Sequence, residues 1–140
     1  MHIGFTGTRK GMTGEQYETL RQILTNRIGS TDKDECGHGD CVGSDEQFHH
    51  TAKELGYKVV AFPPDKDPLR AWCPADIIHP VKPYIERDHD MVDWADEMIA
   101  SPKSTIEEWR GSGTWTTIRY SKKTQTPITI IFPDGSVKHE

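Results

Sequence analysis

The segment HIGFTGTRKGMTGEQYETLRQIL (residues 2–24) has the pattern of a strand, a glycine-containing loop and a helix in direct succession. Residues 2–6 form a short apolar run that is typical of a buried strand. Thr13 and Gln16 have the spacing of a capping box, which predicts that a helix begins there and ends at Gly29. The apolar residues of this helix recur at helical spacing, at Tyr17, Leu20, Ile23, Leu24 and Ile28. A strand, loop and helix in this order form the unit from which parallel sheets are built.

The same alternation of short apolar runs and helical patterns continues along the chain. Further strands are predicted at 35–39, 57–62, 97–100 and 128–132, and further helices at 44–55, at 84–94 and from the loop 107–113 to about Lys123. After the turn signal PDGS, the tail is either a short strand or a frayed end, so residues 133–140 are assigned to a tail. We therefore expect an α/β fold with a mainly parallel sheet.

Residues 63–83 contain six of the nine prolines together with Trp72. A segment so rich in proline is predicted to lack regular elements, and it is long for a connection inside a compact domain. Two interpretations remain open, a lid over a site or a surface for a partner. If the segment is a surface for a partner, a second copy of the chain is a candidate partner, and a homo-oligomer is expected.

Composition narrows the function classes. The chain has 140 residues, a formal net charge of -5 and a pI near 5.8. This balance argues against general nucleic-acid binding and against binding to a membrane surface, although backbone N–H groups can still bind an anion locally. Nothing approaches the roughly 18 apolar residues of a membrane span. Three cysteines and an N-terminus without a signal-peptide layout favour a cytoplasmic location.

Two of the predicted strand-to-helix junctions have the composition of a phosphate-binding loop. In GFTGTRKGMT, Gly7 allows close approach of the backbone, Thr8 offers a hydroxyl and Arg9 offers a guanidinium for an anion. In RGSGTWTT, the residues expected to offer free N–H groups at a helix start are Gly111, Ser112, Gly113 and Thr114. The first loop lacks the spacing of the dinucleotide fingerprint, so a simple glycine turn is its competing interpretation.

The third junction, HGDCVGSDEQ, carries acidic residues. Asp40 stands near a glycine on each side at the carboxyl end of a predicted strand, where open α/β sheets bind ligands. Asp45, just after Gly43, lies in the first turn of the next helix. A carboxylate there is equally well explained as a stabiliser of the helix dipole. Because the carboxyl ends of parallel strands share one edge, we expect the three junctions to form one anion pocket.

Cysteine and histidine residues near this junction suggest a zinc site that the spacing does not support. Cys36, His38 and Cys41, with or without Cys73, form no standard structural zinc pattern. Buried structural cysteines are the favoured interpretation, and the pair His49 and His50 is expected to be solvated. We therefore expect no resident metal and no cofactor.

Taken together, GFTGTR, HGDCVGSD, RDHDMVDWADEMIA and GSGTW resemble the SLOG superfamily in their order and spacing, from Met1 to Phe132. That superfamily joins the LOG phosphoribohydrolases, the DprA/Smf proteins and small stand-alone phage and bacterial domains. The resemblance implies a single Rossmann-like domain over residues 1–140, with a twisted sheet flanked by helices on both faces. It also implies a site for a nucleotide or a nucleotide-derived ligand.

The LOG motif PGGxGTxxE is matched only in part. Gly111, Gly113 and Thr114 correspond to its glycines and threonine, Arg110 stands in place of one glycine, and Thr117 stands in place of the glutamate. The resemblance implies that Thr117 belongs to the ligand-binding set, with Gly7, Thr8, Arg9, Gly43 and the 111–114 loop. It also makes Arg87 a candidate for pairing with phosphate. Asp40 and Asp45 are expected to contact ribose hydroxyls or the base, and together with Arg87 they are the candidates for a catalytic role.

The replacement of the motif glutamate by Thr117 bears on whether the protein only binds its ligand or also cleaves it. Cleavage of an N-glycosidic bond passes through an oxocarbenium-like state that a carboxylate stabilises, and threonine carries no such charge. The sequence therefore favours binding of a nucleotide-type small molecule, as a sensor or sponge for a signalling nucleotide. The alternative is a nucleoside 5′-monophosphate N-glycosidase that uses another carboxylate, from among Glu107, Glu108, Asp40 and Asp45. Trp72 and Trp115 are either base-stacking or core residues.

Overall fold

The computed structural model describes residues 1–27 and 34–140, and within them the strands form one seven-stranded sheet. The strands are β1 (His2–Gly7), β2 (Glu35–His38), β3 (Lys58–Ala61), β4 (Ile77–Ile78), β5 (Glu97–Ser101), β6 (Ile128–Ile131) and β7 (Val137–His139). Their order across the sheet is β4-β3-β2-β1-β5-β6-β7. All neighbours are parallel except β6 and β7, which are antiparallel.

Helices cover both faces of this sheet. They are α1 (Gly14–Arg27), α2 (Ser44–Glu54), α3 (Tyr84–Trp94) and α4 (Gly113–Lys123), with a short 3-10 helix at Asp67–Leu69. Side chains of α1 and α2 join one hydrophobic core, and side chains of α3 and α4 join a second core on the opposite face. The predicted α/β class, with a mainly parallel sheet between two layers of helices, is confirmed.

Alternation along the strands separates the two cores. In β5, Ile99 belongs to the core under α1 and α2, whereas Met98 and Ala100 belong to the core under α3 and α4. This is the two-residue period of a strand buried on both faces. Burial of a side chain as large as Ile99 or Met98 stabilises the fold by about 1.5–3 kcal/mol, so both helical layers contribute to the stability of the central strands.

The capping box predicted at the start of α1 is present. The N–H of Gln16 donates to Oγ1 of Thr13 at 3.1 Å, and the N–H of Thr13 donates to Oε1 of Gln16 at 3.0 Å. Nε2 of Gln16 also donates to the carbonyl oxygens of Pro102 and Ile131, which ties the helix start to the ends of β5 and β6. Ile28, predicted on the buried face of this helix, and Gly29, predicted to end it, lie outside the described residues.

The prediction that residues 63–83 lack regular elements is wrong. The segment contains the 3-10 helix and β4, which pairs with β3 at the edge of the sheet. Proline at 74 and 80 keeps this strand short but does not prevent it, because the two paired residues between them retain their N–H groups. At the other edge, the tail forms β7, so of the two interpretations of the tail the strand is confirmed.

No helix in residues 1–27 and 34–140 has the length and apolar content required to cross a membrane.

The loops that follow β1 and β2 are in close contact at Gly43. This residue has φ of +92°, and a Cβ atom built on it would lie 2.1 Å from the carbonyl oxygen of Arg9. The N–H and hydroxyl of Ser44 both donate to the carbonyl oxygen of Thr8, at 3.2 and 2.6 Å. Glycine at 43 is therefore required both by its backbone angle and by the approach of the neighbouring loop.

We expect Gly43→Ala to lower the free energy of unfolding by about 2 kcal/mol or more, because it adds a left-handed alanine and a backbone clash. Gly14→Ala is the matched control, since nothing lies within 4 Å of a Cβ atom on Gly14. Urea unfolding of both variants checks this. Equal stability of the two variants would contradict the proposed loop contact.

Candidate functional site

A cleft of about 470 Å³ opens at the carboxyl ends of β1, β2 and β5. It receives residues from the loops after all three strands and from α3, so the junctions singled out in the sequence do meet at one edge of the sheet. Of the predicted site residues, the cleft is lined by Gly7, Thr8, Arg9, Asp45, Arg87, Gly111, Ser112, Gly113 and Thr114. Their roles toward a ligand stay predictions.

The start of α4 forms one wall of the cleft. Gly111 has φ of +73°, and Ser112 caps the helix by accepting a hydrogen bond on Oγ from the N–H of Trp115 at 3.2 Å. Gly113 and Thr114 are the first helical residues, and N–H groups in a first turn have no partner within the helix. These N–H groups and the helix dipole make this wall electropositive.

The loop after β1 forms the opposite wall and is held in place by the backbone of its neighbours. The N–H of Thr8 donates to the carbonyl oxygen of Ser101 at 3.1 Å. Arg9 places its guanidinium carbon 5.3 Å from the ring centre of Tyr84. Among the ion pairs of the described residues, none neutralises Arg9 or Lys10. Two cations of an acidic chain therefore stand beside the electropositive helix start.

Arg87 is buried, and it uses four of its five N–H donors on the protein itself. Nε donates to Oδ1 of Asp88 at 2.6 Å, and Nη2 donates to Sγ of Cys41 at 3.7 Å. Nη1 donates to the carbonyl oxygens of Gly39 and Phe62, the latter at 3.0 Å. Only one N–H remains for a ligand, so the geometry does not support bidentate pairing with phosphate. Its main effect is to join α3 to the ends of β2 and β3.

Two buried carboxylates, Asp45 and Asp88, line the cleft near this arginine. Oδ2 of Asp45 accepts from the N–H of Cys41 at 3.1 Å, and burial raises the pKa of Asp45 to about 7 although Arg87 lowers it. Burial likewise raises the pKa of Asp88, while Arg87 and the nearby hydroxyl of Thr117 act in the opposite direction. The floor of the cleft is therefore acidic, and its walls are electropositive.

Three predicted site residues do not line the cleft. Asp40 is fully buried with φ of +53°, and its carboxylate accepts from Nε of Arg70 and from the N–H of Cys73, both at 2.9 Å. These contacts fasten the proline-rich segment to the end of β2. Gly43 lies against the backbone of the loop after β1, as described above, and Thr117 is buried beneath the cleft beside Asp88.

Histidine and cysteine side chains form a buried cluster, but not the set that the sequence suggested. The ligand atoms of His38, His49 and Cys73 lie within 4.8 Å of one another, and Cys36 and Cys41 are not members. His49 is 2% exposed, so its predicted solvation is wrong, whereas His50 is exposed.

The hydrogen bonds of the cluster oppose metal binding. Nδ1 of His38 accepts from the N–H of Asp40 at 2.9 Å, which places the ring proton of the neutral imidazole on Nε2. Nε2 then donates to Nδ1 of His49 at 3.1 Å. A metal-bound histidine instead donates its second ring N–H to an acceptor. The cluster is therefore a neutral hydrogen-bonded chain, and burial accordingly lowers the pKa of His38 to about 3.

A loop between β5 and α4 forms the rim of the cleft and is organised by Arg119. Its guanidinium donates to Oε2 of Glu107 at 3.1 Å and to the carbonyl oxygen of Glu108 at 2.9 Å, and it lies 4.8 Å from the ring centre of Trp109. Glu108 itself lines the cleft and pairs with Lys103 at 3.6 Å. The two tryptophans considered for base stacking differ in burial. Trp115 belongs to the hydrophobic core, whereas Trp72 is largely exposed and has the guanidinium of Arg70 stacked on one face of its ring.

Several cleft residues were not identified from the sequence, among them Lys10, Tyr84, Asp88 and Lys103. Asp88 directly follows Arg87, and a carboxylate beside a predicted phosphate-binding arginine was the available signal. Helical position alone did not reveal its burial, because the neighbouring acids of the same helix, Asp90 and Asp93, are more exposed.

No family model and no curated protein matches the chain. Solved structures do match over most of its length. The molybdenum cofactor binding protein from Rippkaea orientalis is 21% identical with a TM-score of 0.69, and the molybdenum cofactor carrier protein from Chlamydomonas reinhardtii is 19% identical with a TM-score of 0.63. Each match covers 92% of this chain and 74% of the other. DNA processing protein A from Helicobacter pylori is 14% identical with a TM-score of 0.62, over 93% of this chain and 64% of the other.

The chain shares its fold with these neighbours, so the Rossmann-like α/β fold that the sequence motifs implied is confirmed. At identities of 14 to 21%, the comparison shows a shared fold but does not show which ligand this chain binds.

We expect Asp45→Asn to change the pH dependence of stability. The folded-state pKa of Asp45 is raised above its unfolded value, so the folded chain binds more protons and loses stability as pH rises from about 4 to 7. The wild type should therefore lose about 2–3 kcal/mol more unfolding free energy than the variant when the pH is raised from 5 to 8. Urea unfolding of both proteins at pH 5 and at pH 8 measures this difference. The exposed Asp65→Asn is the control, and a pH-independent difference for Asp45→Asn would refute the assignment.

Proposed function

We propose that this protein binds a nucleotide or a nucleotide-derived small molecule through its phosphate group. The observation that carries the proposal is the meeting, in one cleft, of the free N–H groups of Gly113 and Thr114 with Arg9 and Lys10. Backbone N–H groups at a helix start and cations without a carboxylate partner together favour a phosphate ligand. The acidic overall charge confines this preference to the cleft and disfavours long nucleic acids.

The molybdenum cofactor is a second ligand to be tested. Two of the structural neighbours are named as binding or carrying it. A nucleotide is the favoured class, because the sequence motifs carry the resemblance to nucleotide-binding proteins. No resident cofactor or metal is required for either role.

A binding screen with a matched pair of variants tests the phosphate site. We expect AMP, CMP or a related nucleotide to raise the melting temperature of the wild type by mass action. Gly113→Asp should weaken that binding about 10-fold or more, because it places a carboxylate against the phosphate. Nothing lies within 4 Å of a Cβ atom on Gly113, and aspartate in a first helical turn is favourable, so the variant should fold.

Gly14→Asp is the control for this experiment. Gly14 is also the first residue of a helix with open space at its Cβ position, but it lies outside the cleft. Its variant should bind nucleotide like the wild type. Equal weakening in both variants, or none in either, would contradict a phosphate site at α4.

Hydrolysis of the bound nucleotide is the second candidate function. Asp45 and Asp88 place two buried carboxylates in the cleft although Thr117 has none. In the hydrolysis of an N-glycosidic bond, water adds to the anomeric carbon and the base leaves with a proton. Asp45 has a pKa of about 7 and could donate that proton, while Asp88 could stabilise the positive charge on the sugar.

Analysis of the products distinguishes ligand binding from hydrolysis of the N-glycosidic bond. If the protein acts as a sensor or sponge, the ligand should be recovered intact after incubation and denaturation, and no free base should form from AMP, CMP or deoxynucleotides. Steady release of base that Asp45→Asn or Asp88→Asn reduces at least 100-fold would instead establish the glycosidase. Mass spectrometry of the products gives the result.

We also propose a homo-oligomer in the cytoplasm. Apolar side chains of the proline-rich segment stand in solvent, namely Trp72, Ile77, Ile78 and Val81. Such a patch next to an edge strand is a common surface for self-association. All three cysteines are free and buried, which suits a reducing compartment.

A further inference from the structure

Tyr84 is a residue of the cleft whose hydroxyl group the protein leaves unpaired. It is the first residue of α3, and it lines the cleft. The hydroxyl oxygen is buried, and across residues 1–27 and 34–140 it has no hydrogen-bond partner. Buried polar groups are nearly always paired, because an unpaired group has lost its hydration without compensation. In a binding cleft, the missing partner points to a group of the ligand.

The chemistry around this hydroxyl indicates which ligand group it would meet. Burial raises the pKa of the Tyr84 phenol, although the guanidinium groups of Arg9 and Arg87 act in the opposite direction. The phenol is therefore protonated at neutral pH and can donate a hydrogen bond. A donor beside two guanidinium groups is suited to an anionic oxygen, such as an oxygen of a phosphate.

The ring of Tyr84 also positions Arg9. The guanidinium carbons of Arg9 and Arg87 lie 5.3 and 5.2 Å from the ring centre, a distance at which a cation is attracted to an aromatic ring. Arg87 is fixed by its hydrogen bonds to Asp88 and to the backbone. The exposed side chain of Arg9, in contrast, has no ion pair or hydrogen bond in the described part of the chain. Its contact with the ring is therefore what keeps it at the cleft.

We propose that Tyr84 is a phosphate-binding residue of the cleft, whose ring holds Arg9 at the site and whose hydroxyl donates to the same anionic group. This inference rests on the proposed phosphate site and adds a donor that neither glycine loop supplies. The hydroxyl is covered in the free protein. Arg9 can turn from the ring toward an anion without breaking a hydrogen bond or an ion pair, and this movement gives the anion access to the ring edge.

Calorimetry with inorganic phosphate and with AMP tests both roles of Tyr84. Tyr84→Phe removes only the hydroxyl and should raise the Kd of both probes about 5- to 20-fold, the effect of one hydrogen bond to a charged group. Tyr84→Leu also removes the ring and should raise both Kd values about 3-fold further. In the background of Arg9→Ala, the two substitutions should have equal effects, because the ring then has no guanidinium to hold.

Thermal unfolding separates this role from a structural one. A hydroxyl that stabilises the fold lowers the melting temperature when it is removed, but the hydroxyl of Tyr84 has no hydrogen bond to lose in the described residues. We therefore expect Tyr84→Phe to keep or raise the melting temperature of the ligand-free protein while it weakens phosphate binding. A lower melting temperature with unchanged Kd values would overturn the proposal.

Tyr120→Phe is the matched control. The hydroxyl of Tyr120 donates to Asp93 at 2.9 Å, and Tyr120 lies outside the cleft, so its variant should bind both probes like the wild type. If Tyr84→Phe also binds both probes like the wild type, or weakens the binding of AMP alone, the inference fails and the phosphate site at α4 stands. If neither probe binds the wild type, the proposed function fails together with the inference.

Discussion

The hydrogen bonds of one buried guanidinium hold the parts of the cleft together. Arg87 reaches from α3 to the carbonyl oxygens of Gly39 and Phe62, which follow β2 and β3, and it fixes Asp88 beside it. Gly39 makes the approach possible, because a Cβ atom there would lie 2.6 Å from Nη1 of Arg87. A buried guanidinium must donate its N–H groups to acceptors to offset its loss of hydration. Here the same hydrogen bonds also fix the distance between α3 and the edge of the sheet.

This arrangement separates the chemistry of the cleft into two zones. Backbone N–H groups and the cations Arg9 and Lys10 form the walls, and buried carboxylates form the floor. The first zone requires only glycine, a cap and a helix start, which local sequence can specify. The second requires charged side chains to be buried, which only the packed structure can stabilise.

The same difference explains what the sequence could predict. The bounds of α3 and the capping box of α1 follow from apolar spacing and from Thr13 and Gln16, which act within a few residues, and both were predicted correctly. The short strand β4 was not predicted, because its two residues gain their structure only from pairing with β3. His49 was misjudged, and Asp88 was not identified, for a related reason. The burial of a polar side chain depends on partners distant in sequence, such as His38 and Arg87.

Arg119 has a consequence for how such a protein can diversify. The rim loop is fastened to α4 mainly through this side chain, which bonds to two successive residues of the loop and packs on a third. The hydrophobic layers under α3 and α4 do not include the rim. Insertions or exchanges in the rim can thus accumulate during evolution while the scaffold stays intact, and descendants of one ancestor could acquire new specificities through this loop alone.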